Sequence, residues 1–379
     1  MDRAEFPLPR VPQAGAHGHE FDQVGGCQGA KSSINDDDRR QDSGKAEPVT
    51  FLTSERHLSP MTEIHVNAAN FARAESDRMF AAIVHQAGGT GEWSHGKVPT
   101  PVDDQPIIRM NRDTLYSAAV VDISEGAELT IPDVGNRYVS VMVVNQDHFI
   151  NRVFHTPGSH HLDVAEFGTD YVMVAARILV DPENPQDVAQ VNALQDQLVL
   201  SSASNRPFVL EPYDEEAVTA TRAALLELAK GLAGLDGCFG KKQDVDPIRH
   251  LIGTAAGWGG LPEAEASYLN VVPGLDVGRY TLDIAEVPVD GFWSISLYNA
   301  EGYFEENPDG AYSVNNITGT PNADGGITVI FGGEPGEPNA LPIMDGWNYL
   351  VRLYRPRAEV LDGGWQFPSI NSEATVNHG

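Results

Sequence analysis

The sequence predicts a mainly β fold with a helical middle: two antiparallel β-sandwich-like domains joined by α-helices. Three observations carry that prediction. Short apolar or alternating runs at 118–123, 129–131, 138–144 and 171–180 are separated by Gly126, Pro132, Asp133, Gly135, Pro157 and Gly158. That is the punctuation of an antiparallel sheet rather than of repeated strand-helix units. Helical spacing then takes over at 186–200, 215–232 and 247–258, where Pro247 suits a first helical turn. After Gly259-Gly260 the chain is strand-like again at 279–287, 291–299, 326–331 and 347–354, with turns at 289–291, 308–310 and 324–326.

Ahead of the first sheet, Asn67 is a plausible N-cap for a helix over 68–87, which Gly88-Gly89 ends, and 92–106 is a polar loop. Residues 1–60 are rich in Gly, Pro, Ser and Asp without apolar periodicity, which predicts a disordered extension. The predicted organisation is therefore an extension over 1–60, an N-terminal β domain over 61–183, a helical connector over 184–260 and a C-terminal β domain over 261–379. No internal repeat of 20 to 50 residues is found.

The chain has 379 residues, with 54 Asp or Glu against 25 Lys or Arg and a net charge of -29. Ten acids and seven bases fall in the first 60 residues, so -26 lies on the rest. A chain meant for nucleic acid or an anionic membrane normally carries a basic surplus, so neither is an expected partner. Only six of the 25 bases are lysine. That bias fits either adaptation to high salt or a genome favouring arginine codons. No apolar run reaches the roughly 18 residues of a membrane span, and the first thirty residues lack the apolar core of a signal peptide. Cys27 and Cys238 form no CxxC pair and read as free thiols of a reducing compartment. A soluble cytoplasmic protein is expected.

No GxSxG elbow, HExxH, GxGxxG or P-loop is present, which lowers the nicotinamide, ATP and zinc-protease readings. Polar clusters remain where a sheet would otherwise be plain. In the run 109–117, an extended chain would place Arg109, Asn111 and Asp113 on one face, with Asp113 a candidate base and Tyr116 a donor. The alternative is a structural network closing a sheet edge. His148, in the polar turn 145–149 after an apolar run, suits proton transfer near neutrality, though a lone turn histidine also serves structure. His155, His160 and His161 read as surface residues of a turn at Pro157-Gly158 without metal-ligand spacing, and no metal site is expected. In 292–299, Phe292, Ser294, Ser296 and Tyr298 share one face and Trp293, Ile295, Leu297 and Asn299 the other. Arg352, on a mid-strand face, needs acceptors or an anion if buried. It is either an anchor for a ligand carboxylate or paired internally with an acid such as Asp283 or Glu286.

These residues resemble a known pair, domain-of-unknown-function family 1254 followed by family 1214. The N-terminal resemblance rests on 70–78, 101–105, 109–117, Asp147-His148, 177–182 and 193–196. The C-terminal one rests on 268–270, 289–299, 301–304, 315–318, 346–349 and 352–356. The chain departs from the family pattern at 94–97, where relatives tend to have His-Asn-Arg-Glu, and at Phe149, where Tyr is usual. The resemblance implies two β-sandwich-like domains joined by helices over 62–370. No activity or cofactor is established for the family as a whole, although some members carry esterase or hydrolase labels. The functional expectation is a small-molecule enzyme, a hydrolase using water, in a pocket between the two β domains. Asp113, His148 and Tyr116 would be catalytic, and Arg109, Asn111, Trp293, Tyr298 and Arg352 would bind substrate. The alternative is a noncatalytic ligand-binding or interaction module.

Overall fold

Strand Val139–Asn145 is buried at all seven positions, which requires a sheet covered on both faces. A computed structural model of the protein describes residues 63–105, 108–204, 206–232 and 234–372. The extension expected over 1–60 and Cys27 lie outside them. The central sheet is antiparallel, in the order β1 (Ser94–His95), β2 (Thr114–Asp122), β7 (Tyr171–Leu179), β4 (Val139–Asn145), β5 (Ile150–Phe154). A smaller sheet, β6 (Gly158–Leu162), β3 (Ala127–Ile131) and β8 (Val199–Ser202), lies against it. Val121, Val141, Val174, Leu129 and Leu162 close the core between them, with Phe167 of the short helix α2 (Val164–Phe167) and Val191 of α3 (Pro185–Gln195).

The opposite face of the central sheet meets helix α1 (Phe71–Ala87) and, through Tyr138, the aromatic rings of Phe292 and Tyr354 from the C-terminal part of the chain. Helix α1 also packs on α4 (Glu215–Ala229) and α5 (Pro247–Gly257) through Phe71, Ala74, Val218, Leu225 and Ile252. Each of these ends is defined by local chemistry. Gly88 takes φ 88° and sends its N–H to Val84, while the Asp214 and Asp246 side chains accept from the first free amides of α4 and α5.

The C-terminal sandwich stacks two sheets. One runs β12 (Ser313–Asn315), β11 (Trp293–Tyr298), β15 (Asn348–Tyr354), β9 (Ala266–Val271). The other runs β14 (Ala340–Leu341), β13 (Ile327–Phe331), β10 (Tyr280–Ile284), β16 (Asn371–Ser372), and a short α6 (Ala358–Leu361) lies outside the sheets. Trp293, Ile295, Leu297, Val329, Phe331, Trp347 and Val351 fill the space between them. The fold is thus mainly β with sandwich-like halves, as expected.

Three local readings need correction. Residues 109–113 are not an extended strand: Arg109 has φ 56°, and β2 starts only at Thr114. Helical structure over 186–200 stops at Gln195, and the chain then adds β8 to the smaller sheet. The histidine-bearing turn after Pro157 is strand β6, paired with β3 from Gly158 to Leu162. In the last two cases cross-strand pairing overrides a weak local pattern.

Candidate functional site

Two polar rows lie where the central sheet meets the C-terminal sandwich. On the central sheet, Tyr116, Arg177 and Ser140 stand side by side across β2, β7 and β4. On the C-terminal sheet, Asn315, Ser294, Arg352 and Tyr268 do the same across β12, β11, β15 and β9. Antiparallel pairing puts such partners on one face, so each sheet presents a polar band within an otherwise apolar surface.

The segment 108–113 straps the two together. Arg352, 3% exposed, donates from Nη1 to Ser296 Oγ at 2.7 Å. Its Nη2 donates to the carbonyls of Arg109 (2.9 Å) and Met110 (3.1 Å) and to the Tyr298 hydroxyl (2.8 Å). Tyr298 in turn donates to the Met110 carbonyl at 2.7 Å, and the Arg109 amide donates to Gly302 O at 2.7 Å. These bonds hold Arg109 in the left-handed region, a conformation that costs a non-glycine residue about 1–2 kcal/mol. Arg352 therefore has neither the Asp283 nor the Glu286 pairing; its four hydrogen bonds go to neutral acceptors.

Asn111 sits between the rows. Its Nδ2 group donates toward Tyr116 Oη (3.0 Å), Tyr354 Oη (3.1 Å) and Thr114 Oγ1 (3.1 Å), while its Oδ1 accepts from the Asp113 amide (3.0 Å). The two Nδ2 protons are shared among these three oxygens, and a phenol oxygen that accepts one keeps its own proton for a further acceptor. Burial, with Tyr268 and Tyr116 close by, pushes Tyr354 well above the ordinary phenol range, and burial raises Tyr268 likewise. Both are hydrogen-bond donors at neutral pH. Asp113, with no exposed surface, accepts at Oδ1 from Ser313 Oγ (3.2 Å) and Asn315 Nδ2 (3.3 Å).

Several buried atoms here have no hydrogen-bond partner: Asp113 Oδ2, Arg109 Nη1, Arg177 Nη1 and Ser294 Oγ. Arg109 lies over the Tyr298 ring (5.7 Å) and Arg177 over the Tyr116 ring (5.5 Å). Leaving such groups unpaired is costly, and unpaired buried charge more so. Tyr268 combines depth with access: its hydroxyl is enclosed enough for burial to shift it, yet the residue is 47% exposed on edge strand β9. Through Tyr268 the polar cluster therefore reaches the protein surface beside β9.

The remaining predicted residues lie elsewhere. His148, at φ 66° in the turn between β4 and β5, is fully buried. Its Nδ1 is 2.8 Å from Thr254 Oγ1 and its Nε2 accepts from the Gly259 amide at 2.9 Å. Thr254 donates its own proton to His250 O, so His148 carries its proton on Nδ1 and both ring nitrogens are occupied. Burial, then the neighbouring His250, holds its pKa well below the ordinary histidine value. The ring also packs against Trp258 and Phe239. It reaches the polar cluster only indirectly, because the Gly259 carbonyl accepts from Arg177 at 3.3 Å. Trp293 points into the C-terminal core, on the strand face opposite Ser294 and Ser296.

Sequence reading overlooked Arg177, Tyr268 and Tyr354. For Arg177 a signal existed: a guanidinium within the apolar run 172–180. Among the described residues no group of three or more His, Cys, Asp or Glu is placed to hold a metal ion. No helix of the described residues is long and apolar enough to cross a membrane.

Residues 91–161 match the family described as protein of unknown function DUF1254, and residues 275–358 match protein of unknown function DUF1214. The expected N-terminal and C-terminal pairing is therefore present. Among solved structures, a crystal structure of a Vibrio parahaemolyticus protein matches with TM-score 0.61 and 18% identity, over 80% of this chain and 98% of that one. At that identity the likeness shows the fold. An uncharacterized protein from Burkholderia cenocepacia aligns with TM-score 0.43 and 15% identity, over 80% of this chain and 86% of that one. A comparison with curated proteins gives no match.

Proposed function

We propose that this chain, with its DUF1254 segment followed by a DUF1214 segment, is a small-molecule enzyme that hydrolyses an acyl substrate in a recess at this polar cluster between the two β units. The observation that supports the reading is the convergence of Arg109, Asn111, Asp113, Tyr116, Arg177 and Tyr354 with buried donors and an acceptor still unpaired. A wholly structural network would satisfy its own members.

In the proposed chemistry Asp113 Oδ2 accepts a proton from water as the water oxygen attacks the acyl carbon. The carbonyl electron pair moves onto oxygen, where the phenol protons of Tyr116 and Tyr354 receive it. When the tetrahedral species collapses, the carbon–heteroatom bond breaks and the leaving group takes the proton back from Asp113. Arg109 and Arg177 hold anionic substrate groups. Arg352 and Tyr298 fix the 108–113 segment, and His148 is a positioning residue acting through Gly259.

A panel of esters, lactones and amides tests this. Turnover should appear with the wild type and fall at least about 100-fold in both Asp113→Asn and Tyr116→Phe. Turnover unchanged in both variants would remove the hydrolytic reading. A second reading, a binding protein without turnover, is favoured by the position of His148, which leaves Asp113 without a second acid-base group among its hydrogen-bond partners. Ligand-induced stabilisation with no product from any panel member would decide for it.

A further inference from the structure

Deepening that reading, and resting on the same recess, we propose that its ligand is a small organic dianion, with one anionic group at Arg177 and the other at Arg109. The charge inventory carries this. Three guanidiniums, of Arg109, Arg177 and Arg352, face the recess or its strap, and none has a carboxylate partner among the described residues. Guanidinium stays protonated in proteins, so these are three positive charges. Asp113 is the one acid whose hydrogen bonds lie within the cluster, so two positive charges remain unmatched.

This is unusual within the same molecule. Nine other arginines of the described residues hold carboxylates, in a chain with net charge -29 where acids are plentiful. Of the other two described arginines, Arg249 donates to the carbonyls of Asp236 and Gly234, and Arg355 is half-buried without a carboxylate partner; what sets the cluster apart is its unpaired buried terminal guanidinium nitrogens, Nη1 of Arg109 and of Arg177. The unpaired atoms also lie at two positions rather than one. Arg177 Nη1 is beside Tyr116 and near Tyr268 and Tyr354. Arg109, whose Nη1 is the other unpaired nitrogen, lies over the ring of Tyr298, the residue whose hydroxyl accepts from Arg352. A monoanion would leave one of these donors unpaired; two anionic groups on one ligand satisfy both. Carboxylates match the planar donor fork of arginine and the phenol donors beside it.

The test is thermal melting of the full chain with a homologous series of straight-chain dicarboxylates, their matched monocarboxylates and inorganic phosphate. Potassium chloride at equal ionic strength is the control, because the acidic chain responds to screening. One chain length should raise the melting temperature and bind at least about 10-fold more tightly than its monocarboxylate. Arg109→Gln and Arg177→Gln should each fold, melt no lower than wild type, and bind mono- and dicarboxylate alike. Equal binding of both classes by wild type, stabilisation by phosphate alone, or no stabilisation beyond the salt control would overturn the dianion. Dicarboxylate binding without turnover on any panel member would sink the hydrolytic reading and leave this one standing. Turnover on uncharged esters, unaffected by any dicarboxylate, would do the reverse.

Discussion

Asp113 and His148 are both polar side chains without exposed surface, and their surroundings are opposite in kind. Around His148 both ring nitrogens are used: Nδ1 donates to Thr254, whose own proton goes to the His250 carbonyl, and Nε2 accepts from the Gly259 amide, a closed set between α5 and the β4–β5 turn. Around Asp113 the set is open, with one carboxylate oxygen, two guanidinium nitrogens and a serine hydroxyl unpaired. Equal burial therefore separates into a network that stabilises the fold and one that holds donors and an acceptor in place for something else. Burial of a polar group alone does not distinguish the two; the completeness of its hydrogen bonding does.

The sharpest way to break this comparison is to truncate the closed network. His148→Ala strands the Gly259 amide and the Thr254 hydroxyl and opens a cavity, so it should lower unfolding free energy by about 3 kcal/mol. Urea denaturation reads this directly, and a loss under about 1 kcal/mol would show that the junction is not closed. In the open network, Asp113→Asn should reduce turnover about 100-fold, equivalent to about 2.7 kcal/mol of transition-state stabilisation, with little change in the denaturation midpoint. If activity and midpoint fell together, Asp113 would belong with His148 as structure.

Two serines on one face of β11 give an internal control. Ser296 Oγ accepts from the Arg352 guanidinium, so Ser296→Ala should cost about 2 kcal/mol. Ser294 Oγ is equally buried but unpaired, so Ser294→Ala should change stability by less than about 0.5 kcal/mol in the absence of ligand. Equal losses in chemical denaturation would mean that the open network is closed after all.

The last comparison concerns pH. His148 has a folded pKa well below its unfolded value near 6.5, because burial and then His250 disfavour the cation. Its contribution is fully present above the unfolded value and is lost as pH falls, since only the unfolded chain then takes up the proton. The expected slope is about 1.4 kcal/mol per pH unit below about 6. Stability measured from pH 7 to 5 in wild type and His148→Gln should show that this part of the slope disappears in the variant. Parallel curves would assign the acid sensitivity to other groups.

The fold was readable where local pattern and tertiary pairing agree. The apolar runs that became β2, β4, β7, β11 and β15 are buried throughout or nearly so, and their spacing with turn residues suffices to identify them. Strands β8 and β9 escaped notice because half-exposed edge segments carry no strong period and exist by pairing. At the site, Asn111, Asp113, Tyr116 and Tyr298 stood out as polar residues within or beside apolar strands. Trp293 could have been set aside from alternation alone, since period two places it opposite Ser294.

By itself the sequence determined the strand alternation, the helix end at Gly88 and the helix start at Pro247, the acidic charge, and the polar composition of the segment around Asp113. These follow from chemistry spanning a few residues. Only the tertiary structure decided that Arg177 of one sheet and Arg352 of the other meet near that segment, that both terminal nitrogens of Arg352 are hydrogen-bonded while Nη1 of Arg109 and of Arg177 is not, and that His148 lies outside the cluster. Those outcomes depend on which strands pair and which faces pack, and the partners are separated by up to 243 residues. Hydrogen-bond completeness is a property of that packing, and no spacing along the chain encodes it.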